Sequence, residues 1–447
     1  MSKRKRPNIL FLFTDDQRAD TIAALGNRHI FTPNMDRLVA EGTACTRNYI
    51  FGGTSGAVCM PSRAMLHSSR TLFHIQEQGQ EIPPEHTTLG ECLQAAGYRT
   101  FGTGKWHNAP PSYARSFACG DRIFFGGMSE HFQVPLNHFD PTGRYPTEAI
   151  YNEDKMHSSD LFSESAINFI RGHDKRQPFF AYVAYTAPHD PRDTHQRFHD
   201  MYDADRLPTP ENFMPLHPFD NGDMKIRDEM LAGFPRSEQE IHRHLAEYYA
   251  MITHIDDRIG QIFKALEETG QWDNTIIVFA GDNGLALGRH GLMGKQNLYE
   301  HSVTVPLIFA GPGIPRGQRR TALTNLIDIY PTLCELIGID APETVEGSSL
   351  VKVLHDDEAS VRDAAMLAYR HLHRGVRQGR WKLIEYVIEG ARTTQLFDLD
   401  SDPFELNNLA ADSACASHLK RLRKRLVAWR DDMGDTCSEF WSQYHDA

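Results

Sequence analysis

Long apolar runs are missing from the 447 residues; no stretch approaches the ~18–20 residues needed to cross a bilayer. Cysteine is scarce and scattered. The seven (Cys45, Cys59, Cys92, Cys119, Cys334, Cys415, Cys437) are odd in number and include no Cys-x-x-Cys pair. A disulfide scaffold or structural zinc site is therefore not expected, and a buried, inert role is the expectation for every cysteine except Cys59. Positive charge is in deficit, with 47 basic against 59 acidic side chains and a formal charge of −12. That balance argues against partners such as nucleic acid or an anionic membrane, and leaves room for a local basic pocket. The 23 histidines include no His-Glu-x-x-His, and pairs such as His242/His244 and His371/His373 read as solvated surface residues. Met-Ser-Lys-Arg-Lys-Arg at the start resembles a signal-peptide n-region, but the apolar stretch Ile9–Phe13 that follows is too short for an h-region. The cytoplasm is the default expectation; an exported chain trimmed of its leader would read the same.

What is present describes a folded protein: 40% apolar residues, 24% charged and five Trp. Short, nearly continuous apolar runs recur at Ile9–Phe13, Phe179–Tyr185, Thr275–Ala280 and Pro306–Ala310. Strands buried on both faces read this way, which predicts a parallel sheet covered by helices. From Ile241 to Leu266 the apolar positions step by four and three, the face of a long helix. Ser237 and Glu240 form a capping box at its start, and Gly270 follows its end. Segment 186–235, rich in Pro, His and Asp, predicts a long surface excursion near a site. Met366–Tyr369, Gly375–Tyr386 and Thr394–Leu399 alternate like short antiparallel strands. A basic amphipathic helix over 415–433 follows, built around Leu419, Leu422, Leu426 and Trp429. The expected fold is α/β: a large, mostly parallel sheet sandwiched by helices over 1–340, then a smaller C-terminal domain of antiparallel sheet plus helix over 341–447.

Reactive side chains follow the ends of the predicted strands. Ile9–Phe13 leads into Asp15-Asp16, Tyr98–Gly102 into Lys105-Trp106-His107, Phe179–Tyr185 into His189-Asp190, and Thr275–Ala280 into Asp282-Asn283. In open α/β sheets the ligand crevice lies outside the carboxyl ends of the strands, so these clusters should share one pocket. Asp15, Asp16, Asp282 and Asn283 offer only oxygen donors, a set suited to Ca²⁺ or Mg²⁺ rather than zinc. Lys105, Lys295, Arg63, His107 and His189 add charge for an oxyanion and capacity for proton transfer. Cys59-Met60-Pro61-Ser62-Arg63 carries the strongest signal. The Gly/Ser-rich run before it places Cys59 in a loop, with Pro61 and Ser62 in the first turn of a helix, whose positive end favours an anionic substrate.

At these residues the chain resembles the type I sulfatases of the alkaline-phosphatase superfamily. Cys59-Met60-Pro61-Ser62-Arg63 resembles their formylglycine signature, and Gly97 to His107 their second signature. The order Asp15-Asp16, Cys59, Lys105/His107, His189, Asp282-Asn283, Lys295 matches across residues 8–310. The ending, with Gly379-Arg380-Trp381-Lys382-Leu383 and Leu396-Phe397-Asp398-Leu399, resembles their small C-terminal domain. One departure stands out: Leu-Thr-Gly-Arg is usual after the signature, and here His67-Ser68-Ser69-Arg70 replaces it, placing an imidazole near the site.

The resemblance implies hydrolysis of a sulfate ester with one Ca²⁺ (or Mg²⁺) and a formylglycine made from Cys59 by a maturing enzyme. It implies that Asp15, Asp16, Asp282 and Asn283 hold the cation, Lys105 and Lys295 hold sulfate oxygens, and Arg63 orients the hydrated aldehyde. His189 is the acid for the leaving group and His107 the base for sulfate release. A sulfated carbohydrate is the expected substrate, through Leu287–Gly291 and the 186–235 loop, with His67, His74 and His290 as candidate specificity residues. Two rivals remain: phosphonate monoester or phosphodiester hydrolysis by the same apparatus, and a catalytically silent binder of sulfated glycans. A two-zinc phosphatase fits less well, since its Ser or Thr nucleophile and extra His ligands are not evident.

Overall fold

The computed structural model describes residues 6–146, 150–151 and 155–444. Most of the basic opening segment therefore lies outside the described residues. The predicted apolar runs form the centre of an eight-stranded sheet. Asn8–Thr14 lies in the middle, parallel to Thr275–Gly281 on one side and to Phe179–Ala184 on the other. Arg99–Lys105 and then Cys119–Phe124 continue the parallel order outward. All residues of the three central strands are buried, as a sheet covered on both faces requires. The opposite edge departs from the parallel expectation. Leu307–Ala310 runs antiparallel to both Thr275–Gly281 and Gly42–Cys45. Gly42–Cys45 and the edge strand Gln318–Arg320 are too short and too polar to have been recognised from pattern.

The long helix spans Glu238–Glu268 and buries the predicted stripe, including Ile241, Leu245, Ile252, Ile259 and Leu266. Only half of its capping box forms. Ser237 accepts the Glu240 N–H, but the Glu240 carboxylate accepts from Gly233 instead of returning to the cap. His244 and His373 are buried, against expectation: His244 Nδ1 lies 3.0 Å from an Arg192 nitrogen, and His373 Nε2 2.6 Å from the Asn221 carbonyl. The sequence pattern could not show that the 186–235 excursion folds back over both. Among the described residues, no helix is long and apolar enough to cross a membrane.

Toward the C-terminus, Ala364–Tyr369, His373–Gln378, Trp381–Ile388 and Ala391–Asp398 form an antiparallel meander. The helix Ala416–Asp432 packs Leu422, Leu426 and Trp429 against it. A fifth strand comes from far upstream: Gly52–Gly53 pairs in parallel with Ala368–Tyr369. Only glycine fits at position 52, where φ is +101° and a Cβ would lie 2.1 Å from the Ala368 carbonyl oxygen. The segment leading to Cys59 is thus sewn to the small sheet.

Candidate active site

The strand-end clusters converge. Asp15 and Asp16 follow Asn8–Thr14, and Asp282 and Asn283 follow the neighbouring strand Thr275–Gly281. Lys105 is the last residue of its strand and still pairs with Phe124, just after a register shift in which Arg122 of the neighbouring strand, with φ 50°, is the extra residue. His189 follows Phe179–Ala184. Cys59 is not in a loop, as expected, but is the first residue of the helix Cys59–Ser68, with Pro61 and Ser62 already inside it. The helix starts two residues early because Ser62 N–H reaches back to the Val58 carbonyl and Ser62 Oγ to the Asp282 carbonyl, at 2.6 Å.

Cys59 Sγ lies 3.1 Å from Asp15 Oδ1, 3.5 Å from Asp16 Oδ1 and 3.0 Å from Lys295 Nζ. Lys295 also donates to Asp16 Oδ1 at 2.7 Å. Lys105 donates to Asp15 Oδ2 and, at 2.5 Å, to the Gly127 carbonyl. Arg63 bridges Asp282 at 2.9 and 3.0 Å and the Lys105 carbonyl at 2.7 Å. His189 Nδ1 bonds to the Asp190 carbonyl at 2.8 Å, so that nitrogen carries the proton and Nε2, 3.7 Å from Asp16 Oδ2, faces the centre.

Electrostatics follow from burial and this interleaving of charge. Burial, with Asp282 beside it, raises the Asp15 carboxyl to about 7. Burial would raise Asp282 as well, but Arg63, Lys105 and Lys295 hold it down to about 2. The Cys59 thiol is pushed well above its ordinary value by burial and by Asp15 and Asp282. His107 and His189 are driven well below theirs, first by burial and then by the lysines. Asp15, Asp16, Asp282 and Cys59 each present a ligand atom within 4.8 Å of the others. Asp16 Oδ2 and Asn283 Oδ1 are buried with no hydrogen-bond partner. Orphaned acceptors beside clustered carboxylates fit a hard cation, and the thiol in their midst does not.

A pocket of about 300 Å³ opens over Cys59, lined by His107, His189 and Lys295, while Arg63 and Lys105 are fully buried beneath it. Its wall also contains Met128, Ile226, Arg227, Asp228 and Gln296, none of which was singled out from sequence. Three of these come from the 186–235 excursion, as its composition suggested. Glu229 anchors that segment to the Lys295 loop by accepting the Met293 and Gly294 N–H groups at 2.8 and 2.9 Å. Arg227 pairs with Asp190 at 2.6 Å and with Asp228 at 2.5 Å, and remains nearly half exposed at the mouth.

The three histidines considered for specificity do not line this pocket. His67 is buried between the Trp106 and Tyr182 rings, 4.3 and 4.8 Å away, and burial with Arg63 nearby lowers it to about 3. His74 pairs with Glu346, and His290 stacks on Tyr299. Ser69, in the usual glycine position, takes the left-handed conformation (φ 53°) and is held there by donating to the Ile327 carbonyl at 2.6 Å. The remaining cysteines are not uniformly buried: Cys119 and Cys437 are partly exposed, and the Cys92 and Cys334 sulfurs lie 3.9 Å apart.

Comparison with known proteins places this geometry. The sulfatase family model matches residues 7–339, and the model described as N-sulphoglucosamine sulphohydrolase, C-terminal, matches residues 288–432. The chain belongs to the sulfatase family, within the alkaline-phosphatase superfamily. It is similar to a choline-sulfatase of Rhizobium meliloti (30% identical, covering 91% of this chain and 82% of that one). It is also similar to the multifunctional alkaline phosphatase superfamily protein PehA of Trinickia caryophylli, at 29% identity with 95% of each chain covered. Among solved structures, BT4656 in complex with its substrate D-glucosamine-2-N,6-O-disulfate superposes with a TM-score of 0.83 at 25% identity, covering 97% of this chain and 99% of that one. The protein is therefore an enzyme, a sulfatase acting on sulfate esters.

Proposed function

We propose that this sulfatase acts on a sulfated carbohydrate, with residue 59 matured to formylglycine and one divalent cation, Ca²⁺ in preference to Mg²⁺. The observation that carries this reading is Cys59 Sγ itself, enclosed by two carboxylates and the Lys295 ammonium on the floor of the pocket. A thiol raised far above neutral is a poor nucleophile and a poor ligand for a hard cation. Formylglycine in its place, supplied by a maturing enzyme, offers a hydrated aldehyde: one hydroxyl to attack sulfur, the other to be deprotonated for sulfate release. Asp15, Asp16, Asp282 and Asn283 would hold the cation, which when bound lowers the pKa of the attacking hydroxyl and offsets developing charge.

The chain's own residues take the remaining tasks. Lys295, on the pocket wall, and Lys105, beneath it, hold sulfate oxygens. Arg63, fixed by Asp282, orients residue 59 and neutralises charge from below. His189 donates a proton through Nε2 to the departing ester oxygen, its Nδ1–H being held by the Asp190 carbonyl. Both histidines rest neutral, so His107 is ready to accept a proton, whereas His189 gains one only when the anionic substrate offsets the lysines.

A carbohydrate is supported by Arg227, half-exposed at the mouth, with the buried Asp228 and Gln296 on the wall behind it. It is supported also by similarity to an N-acetylglucosamine-6-O-sulfatase of Bacteroides thetaiotaomicron, at 26% identity with 94% of this chain covered. Phosphonate monoester hydrolysis by the same residues is the second reading, favoured by similarity to the multifunctional PehA at 29% identity; an Agrobacterium radiobacter phosphonate monoester hydrolase shares the fold (TM-score 0.78 at 22% identity). Peptide mass spectrometry across residue 59, on protein made with a formylglycine-generating partner, tests the nucleophile; an unmodified thiol in fully active enzyme would sink it. Paired assays on the same preparation separate the substrates. A sulfated glucosamine should be turned over faster than a phosphonate monoester, and the reverse order would establish the second reading.

A further inference from the structure

A second concentration of buried positive charge lies behind the catalytic carboxylates. Arg18, two residues beyond Asp16, is 1% exposed and places its guanidinium 5.2 Å from the centre of the Tyr248 ring. Its Nε donates to Asp20 Oδ1 at 2.8 Å, and Arg289 Nη2 donates to Asp20 Oδ2 at 2.6 Å. One carboxylate thus serves two guanidinium groups. Arg18 Nη1 and Nη2, Arg289 Nη1 and both His301 ring nitrogens are buried without a hydrogen-bond partner. Arg18, Arg289 and His301 line one cavity of about 160 Å³ that shares no residue with the Cys59 pocket.

Leaving charged donors bare is costly, since each unpaired N–H of a buried cation forfeits its full solvation. The acidic groups on the cavity wall do not relieve them. Glu300 is already engaged by Tyr49, Arg377 and Lys382, and burial raises the Glu405 carboxyl to about 7. Excess positive potential is visible in its neighbours: beyond the effect of burial, Arg18 pushes Arg289 down, and His290, Arg289 and Arg18 push His301 down. The volume admits several waters or one compact ion. Convergent guanidinium forks select planar or tetrahedral oxyanions over halides.

We propose that this cavity is a second anion site, in which Arg18, Arg289 and His301 bind a small tetrahedral oxyanion, sulfate or phosphate. It stands apart from the Cys59 pocket and does not depend on the reaction assigned there. Wild-type crystals soaked in selenate provide the direct test. An anomalous selenium peak within reach of Arg18 and Arg289 is expected, in addition to any peak over residue 59. Ordered water alone in the cavity, or selenium over residue 59 only, would overturn the proposal.

Equilibrium dialysis against labelled sulfate and labelled phosphate, at ionic strength matched with chloride, gives the solution counterpart. Two sites per chain are expected in the wild type. In Arg289→Met, confirmed as folded by its melting temperature, the second site should weaken about tenfold or more. The tighter of the two anions is the one the site prefers, and two sites whose affinities are both unchanged in Arg289→Met would overturn the proposal. A preparation with no turnover would still give the Arg18 peak, so this test fails or succeeds separately from the proposed function.

Discussion

Among the described residues, two clusters bring three or more carboxylates and other ligand-type side chains within 4.8 Å of one another, and one of the two is left incomplete. Around Cys59, Asp15, Asp16 and Asp282 face buried cations, yet Asp16 Oδ2 and Asn283 Oδ1 have no partner. Around Asp160, on the helix Ser158–Gly172, His254 Nε2 lies 2.9 Å from one oxygen and His195 Nε2 2.6 Å from the other, with Arg258 3.2 Å away. Thr194 meets the far nitrogen of His254 at 2.8 Å. The Asp160 carboxylate is thus complete in itself and ties that helix to the long helix and to the loop after Phe179–Ala184. Proximity of ligand types does not separate structure from function here; unsatisfied acceptors at the carboxyl ends of parallel strands do.

Breaking the incomplete cluster should cost activity. Cys59→Ala is expected to lower kcat for an aryl sulfate by roughly 10³-fold or more with the melting temperature nearly unchanged, because it removes the proposed nucleophile. Turnover within tenfold of wild type would place the nucleophile elsewhere. Asp282→Asn, which frees Arg63 as well as removing a proposed cation ligand, should cost roughly 10²-fold. Chelation of divalent cations should abolish turnover in the wild type and Ca²⁺ should restore it, with a rise in melting temperature. The same Ca²⁺-dependent rise should persist in Asp160→Asn and vanish in Asp15→Asn; a rise lost in Asp160→Asn would show that the second cluster also holds the ion.

Arg227→Ala should raise KM for a sulfated disaccharide about tenfold and leave a small aryl sulfate nearly unaffected. Equal effects on both would mean that Arg227 acts by holding Asp190 and Asp228 rather than by touching sugar. The complete cluster should respond through stability alone, and with the smallest effect. Burial would raise the Asp160 carboxyl, but the bonds from His254 and His195 and the charge of Arg258 hold it down to about 2. A depressed acid contributes stability at pH values above its ordinary value near 4 and loses it as pH falls through 2. Asp160→Asn should therefore cost about 1 kcal/mol at pH 6, reduced by solvent screening, and the difference from wild type should close between pH 4 and 2. A constant difference across that range would assign the loss to packing.

The parallel core, the long helix and the strand-end clusters were legible because each rests on a local pattern: buried apolar runs, a 3.6-residue period, and reactive residues just after strands. The antiparallel edge was not, since nothing local in Leu307–Ala310 states which way its neighbour runs. Arg227 and Asp228 lie in a segment without periodicity, and only its fold-back, pinned by Glu229, brings them to the pocket. His244 and His373 were misplaced for the same reason: the side chains that cover them arrive from distant segments. Cys59 itself was found by motif, but its position inside a helix depends on the carbonyl of Asp282, far along the chain.

The two-residue strand before Cys59 also has a consequence in time. Gly52–Gly53 can dock only on a strand made about 300 residues later, and Arg377 reaches back to the Tyr49 hydroxyl across 328 positions. At about 5–20 residues per second, a ribosome needs roughly 20–60 s to make that interval. Throughout it the segment carrying Cys59 lacks its final partner, which would give the proposed maturing enzyme a window set by chain length rather than by any opening of the finished protein.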